Sequence, residues 1–76
     1  MTDKQLKDLT GYNGDVRELI DSVEAMLEEQ GLENTYTVEQ LAEAGCIEVA
    51  DDGHGLIVID TNGGLIGTDW LENEED

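Results

Sequence analysis

Apolar residues recur at three- and four-residue steps through the first half of the chain, and the spacing then changes to alternation. The longest regular stretch runs from Asp15 to Gln30, where Val16, Leu19, Ile20, Val23, Met26 and Leu27 form one apolar stripe. That period predicts an amphipathic helix over 15–30. Asn13 or Asp15 can cap its first turn, and Gly31 suits the left-handed position after its last. Upstream, residues 3–9 predict a shorter helix in which Leu6 and Leu9 are spaced to touch a core. Gly11-Tyr12-Asn13-Gly14 is a turn signal that ends it. Downstream, Thr37-Val38-Glu39-Gln40 has the capping-box arrangement, in which Thr37 caps the helix and Gln40 reaches back. The helix it opens covers 38–44, with Val38, Leu41 and Ala42 inward, Glu39 and Glu43 outward, and Gly45 as its stop.

Beyond Gly45 the period is two. Residues 46–50 alternate, with Ile47 and Val49 on one side and Glu48 on the other, which predicts a strand. Asp51-Asp52-Gly53-His54-Gly55 is a turn cluster. Leu56-Ile57-Val58-Ile59 is a short apolar run bounded by turns, read as a strand over 56–60 covered on both faces. Asn62-Gly63 is a strong hairpin signal, and Leu65-Ile66 opens the returning strand over 65–68. The expected fold is α+β: two main helices (about 15–30 and 38–44) followed by, and packed on, a three-stranded antiparallel β-meander. Residues 1–71 form the single domain this length allows. The run Glu72-Asn73-Glu74-Glu75-Asp76 is expected to be an acidic, disordered tail.

Charge changes this picture from a fold to a function. The chain has 76 residues, with 20 Asp and Glu against 3 Lys and Arg, for a formal charge of −17 at pH 7. Lys4, Lys7 and Arg17 are the only Lys and Arg residues, so residues 18–76 hold 17 carboxylates and neither of those bases. An ordinary surface mixes both signs, because a single-sign field repels itself and destabilises the compact state. On a 100° wheel the face opposite the apolar stripe carries Glu18, Asp21, Ala25, Glu28 and Glu29. The predicted helix would be about 24 Å long, so these carboxylates form an extended row. Such a chain is repelled by DNA, RNA and anionic lipid. Its natural partners are basic surfaces, of which the nucleic-acid channels of other proteins are the richest. Cys46 is the only cysteine, which fits a reducing cytoplasm. Met1-Thr2-Asp3-Lys4 lacks an apolar signal core and the longest apolar run is Leu56–Ile59, so neither secretion nor membrane spanning is expected.

Few residues offer chemistry. Catalysis needs a nucleophile or base held against a partner. Cys46 and His54 are the only thiol and imidazole, and acidic surroundings raise rather than lower a thiol pKa. No enzyme is expected, and Cys46 reads as a small apolar strand residue. Asp51, Asp52 and His54 are metal-ligand types, but Asp and Gly are also what turns are made of, so no metal is expected. Asp60-Thr61-Asn62-Gly63 starts like a calcium loop. Leu65 and Leu71 then stand where that loop needs its glycine and its bidentate glutamate. Asp21-Ser22-Val23 is similar to the prosthetic-group site of acyl carrier proteins. In that family the serine opens a helix and helices continue to the C-terminus, whereas here Ser22 falls mid-helix and strands follow. The helix–turn–helix spacing before the hairpin resembles a winged DNA-binding domain, with the wrong sign of charge for phosphate. Trp70, between Asp69 and Glu72, either covers the edge of the small core or serves as an exposed anchor.

In size, charge and lack of catalytic groups the chain resembles the small acidic viral inhibitors of the DNA-mimic type, the anti-CRISPR and anti-restriction proteins. The resemblance is one of class and rests on no shared motif. It implies a non-enzymatic inhibitor, acting in the host-cell cytoplasm without a cofactor. Its partner would be a basic nucleic-acid-binding protein such as a CRISPR effector or restriction enzyme, held through its cationic groove. The primary row would be Glu18, Asp21, Glu28 and Glu29, with Asp51, Asp52, Asp60 and Asp69 as a secondary set and Trp70 as anchor. Two other readings stand beside it: an ordinary protein of a salt-loving organism, and a regulatory or antitoxin module that docks on a basic enzyme. A small core and an exposed sheet edge favour a homodimer, whereas the charge favours a monomer.

Overall fold

The computed structural model describes residues 2–71. Three helices come first, α1 (Asp3–Thr10), α2 (Val16–Glu29) and α3 (Val38–Glu43). Side chains start each of them. Thr2 and Thr37 accept from the N–H groups of Gln5 and Gln40, whose side chains return the bond, so α1 and α3 both open on capping boxes. For α2 the cap is Asp15, whose Oδ1 accepts from the Arg17 N–H at 2.9 Å. The stripe of α2 is buried at Val16, Leu19, Val23, Met26 and Leu27, with Ile20 packed half-buried at its margin.

In α1 only Leu6 reaches the core, because Leu9 is 45% exposed. The residue one turn beyond Leu6 on the same face is Thr10, four positions on, and it takes the buried place expected of Leu9. Thr10 is tolerated there because its hydroxyl donates to the Leu6 carbonyl at 2.8 Å.

The sheet has the order β1 (Ile47–Ala50), β2 (Gly55–Ile59), β3 (Leu65–Trp70), and every pairing is antiparallel. The fold is thus a small α+β domain, its helices packed on a three-stranded meander. Ile47 pairs with Val58 and Val49 with Leu56, which puts these four side chains on the face toward the helices. The apolar run of β2 is not covered on both faces. Leu56 and Val58 are buried while Ile57 between them is half-exposed, since helices occupy one side only. Being central in the sheet, rather than sandwiched between layers, is what makes the run continuous.

β3 extends beyond the expected 65–68. Gly55 pairs with Trp70 and Leu56 with Asp69, while Val58 pairs with Gly67 and Ile59 with Leu65. The extra residue, Ile66, is a β-bulge. It lets Ile66 be buried although its neighbour Gly67 also faces α2, where a β-carbon on Gly67 would lie 3.2 Å from Met26 Sδ. The run 72–76, expected to be a tail, lies outside the described residues. Among the described residues no helix is long and apolar enough to cross a membrane.

Two core residues carry no periodic signal. Leu71, just past β3, is 1% exposed, and Tyr12, from the turn after α1, is 0% exposed. The Tyr12 hydroxyl has no hydrogen-bond partner among the described residues. Burial raises its pKa from the ordinary 10.0, and the Glu18 and Asp15 carboxylates raise it further. The folded protein therefore holds this proton more tightly than the unfolded chain does. That contribution is complete below the unfolded pKa and is lost as pH rises through the folded one. Replacing Tyr12 with Phe removes an unsatisfied group, and we expect urea unfolding at pH 7 to show a gain of about 1 kcal/mol. The same variant should lose less stability than the native protein between pH 9 and 11. A loss at pH 7 of similar size would mean that the hydroxyl is bonded after all.

Candidate binding surface

From Glu18 to Leu71 no carboxylate is buried, and only Glu18 and Asp60 are half-buried. Glu39 and Glu43 lie on α3 and Glu48 on β1, and most of the others fall on the two flanks of α2 and in the loops. Glu18, Asp21, Glu28 and Glu29 all lie on the face of α2 opposite its buried stripe, and the two flanks of that face meet different neighbours. On one flank Asp21, Glu24 and Glu28 line a groove of about 370 Å³, which Glu33 closes from the far side over Leu27, Tyr36 and Val38. Glu33 arrives there because α2 ends in a Schellman turn. Gly31 takes φ 70, the Leu32 N–H donates to the Leu27 carbonyl at 2.7 Å, and the Gly31 N–H donates to the Glu28 carbonyl at 3.1 Å.

The other flank carries Glu18, Ser22 and Glu29, which share a side by helical period. Ser22 donates its hydroxyl to Asp69 Oδ2, which draws this flank to β3 and places Asp69 beside it. The other oxygen of Asp69 accepts from the Trp70 N–H at 2.8 Å. Ser22, in the second turn of α2, is thus a tie between helix and sheet.

The loops carry Asp51, Asp52 and Asp60, and Asp60 serves as a backbone partner. Asp60 Oδ1 accepts from Asn62 N–H at 2.8 Å and from Gly64 N–H at 2.9 Å, closing the hairpin loop between β2 and β3. Asp51 and Asp52 occupy the left-handed region at φ 52 and 59, which short polar side chains tolerate better than others do. They form the one-turn 3-10 connection, Asp51–Gly53, from β1 to β2. Asp60 is therefore largely a structural residue, whereas Asp51 and Asp52 are exposed.

At the same end of the sheet His54 and Trp70 stack, with ring centroids 5.0 Å apart and planes 8° from parallel. His54 also grips the strand after Trp70. Its carbonyl accepts from the Leu71 N–H at 2.6 Å, and its Nδ1 lies 2.8 Å from the Leu71 carbonyl. A carbonyl can only accept, so Nδ1 carries the proton. The Trp70 ring does not cover the core. It stands 61% exposed on the sheet face away from the helices.

Cys46 is buried just before β1, with Sγ 3.6 Å from the Asp60 carbonyl, and the length of the β1–β2 ladder separates it from His54. Among the described residues no three His, Cys, Asp or Glu side chains converge as metal ligands would.

No family model matches the chain, and neither a curated protein nor a solved structure matches it. What the surface can do follows from its geometry. It offers carboxylates on fixed elements, a groove with an apolar floor and acidic walls, and an aromatic pair on an open sheet face. Sequence reasoning overlooked the part of Glu24 and Glu33 in the groove. The signal for Glu33 was the Gly31-Leu32 pair, whose Schellman geometry turns the chain back along α2.

The loop role of Asp60 gives a direct expectation. Asp60→Ala leaves two backbone donors without their acceptor and should cost about 1–2 kcal/mol in urea unfolding. Asp60→Asn keeps an acceptor and should cost less than half of that. Equal losses would mean that the charge, and not the two bonds, matters at this position.

Proposed function

We propose that this protein is a non-enzymatic inhibitor that binds the basic nucleic-acid-binding surface of a host defence or DNA-processing protein. Its carboxylates stand in for phosphates, and it acts in the cytoplasm of the cell that holds the target. The observation that carries the reading is the one-sided charge: 17 carboxylates and no Lys or Arg after Arg17, with those through Leu71 all at the surface. Helix and sheet hold them on a rigid frame, as the phosphates of a duplex are held on its backbone.

A cationic groove would meet Glu18, Asp21, Glu28 and Glu29 of α2 first, with Glu24 and Glu33 deepening the acidic groove on one flank. Asp51, Asp52 and Asp69 extend the field to the sheet. Long-range attraction speeds such an encounter and falls with ionic strength. Exposed ion pairs contribute about 0–1 kcal/mol each, so tight binding needs many at once together with some apolar contact.

The test is retention of proteins from host lysate on the native chain and on the variant Glu18→Gln, Asp21→Asn, Glu28→Gln, Glu29→Gln. At about 0.1 M salt, where the Debye length is about 10 Å, the native chain should hold a nucleic-acid enzyme that duplex DNA displaces. The variant should bind that enzyme about 10- to 100-fold more weakly. Equal retention by both chains, or a target that DNA does not displace, would overturn the reading.

A further inference from the structure

Helices cover one face of the sheet, and the opposite face is open where Trp70 stands. On that face Gly55 is the cross-strand partner of both Trp70 and Ala50, so two small residues lie beside a large ring. The Asp51 carboxylate takes the place that a side chain on Gly55 would fill: a β-carbon there would lie 3.0 Å from Asp51 Oδ2. Directly opposed residues have β-carbons about 4.5–5.5 Å apart, which sets the distance from the base of the indole to that place. His54 takes one side of the indole in a parallel stack, which fixes the ring while 61% of the residue remains exposed.

A fixed aromatic face with a carboxylate about one cross-strand spacing from its base suits one kind of side chain. A guanidinium is planar, stacks on aromatic rings and is less strongly hydrated than an ammonium. It can lie on the indole while its N–H groups reach a carboxylate. A second copy of this chain is a poor occupant, since it would bring another formal charge of −17 to the same face.

We propose that Trp70, braced by His54 and flanked by Asp51, is a docking platform for an arginine side chain of the basic partner. This rests on the reading that the partner is basic, and it adds where the partner's anchoring residue sits and which residue it is. The carboxylates of α2 attract any cation. The platform distinguishes arginine from lysine.

Trp70 is the only tryptophan, so its fluorescence reports on this site alone. The experiment titrates hexa-arginine and hexa-lysine peptides into the native protein and into Trp70→Leu at about 0.05 M salt, by calorimetry and, for the native protein, by emission. Trp70 is exposed, and far-ultraviolet circular dichroism verifies that the variant is folded. The expected result is a change of Trp70 emission that saturates with hexa-arginine and is much smaller with hexa-lysine. Trp70→Leu should weaken hexa-arginine about three- to tenfold and change hexa-lysine less than twofold. Asp51→Asn should weaken hexa-arginine as well.

If both peptides bind but Trp70→Leu shifts them equally or not at all, the platform is refuted while the acidic-surface reading stands. If neither peptide binds, both fall. Sedimentation of the native protein as a dimer that Trp70→Leu dissociates would also refute the platform, because a second copy would then occupy it.

Discussion

Self-repulsion among a large excess of carboxylates is the constraint on which this molecule is built. Residues 18–76 hold 17 carboxylates and no Lys or Arg, so Lys4, Lys7 and Arg17 are the only lysine and arginine side chains that could pair with any of them. The chain answers in two ways. It keeps the carboxylates from Glu18 through Asp69 out of the core, which is made of Leu, Ile, Val, Met, Ala, one cysteine and one tyrosine. It also satisfies several of its carboxylates with N–H and O–H donors. Asp15 caps α2, Asp60 closes the hairpin loop, and Asp69 takes the Ser22 hydroxyl and a backbone N–H. Hydrogen bonds to a charged acceptor are stronger than neutral ones, so local donors do part of what distant cations do elsewhere.

The same constraint bears on the proposed binding surface. Fixing a carboxylate in a cap or a turn sets its position, and a set of fixed negative charges is what the proposed cationic partner would meet. Asp60 is engaged by two backbone donors, so on this reading the hairpin loop would contribute less than α2. On the proposed reading the Trp70 end would supply the apolar contact that charge cannot. Attraction at long range and selectivity at short range would then come from different faces of one small domain.

Much of the fold was legible because local signals agreed with one another. The stripe of α2, the capping box of Thr37 and Gln40, and the change to alternation after Gly45 each read correctly and in the right order. What escaped depended on tertiary placement. Tyr12 sat in a turn signal, and nothing local says that the turn folds inward. Leu9 looked as good as Leu6 until the neighbours of α1 decided which face was covered. A continuous apolar run is the same whether a strand is sandwiched or merely central, so the open face beneath Trp70 stayed hidden. The bulge at Ile66 shifted the pleat and carried β3 on to Trp70. For the site, composition located the charge but not its grouping. A helical wheel places Glu18, Asp21, Glu28 and Glu29 on one face, but it has no neighbours. The Schellman turn and the Ser22–Asp69 bond divide that face into two flanks, and neither is a property of α2 alone.

The proposed function requires that this charge be a binding surface and not an adaptation to a salt-saturated cytoplasm. Urea unfolding across about 0.05 to 2 M sodium chloride tests that most directly, since screening is nearly complete at the upper end. A binding surface requires a cooperative transition, and hence a folded protein, already at the lowest salt, with only a modest gain as repulsion is screened. A chain that is unfolded at 0.05 M and folds only near molar salt would contradict it, because no field could then be presented to a partner under the conditions where that field reaches furthest.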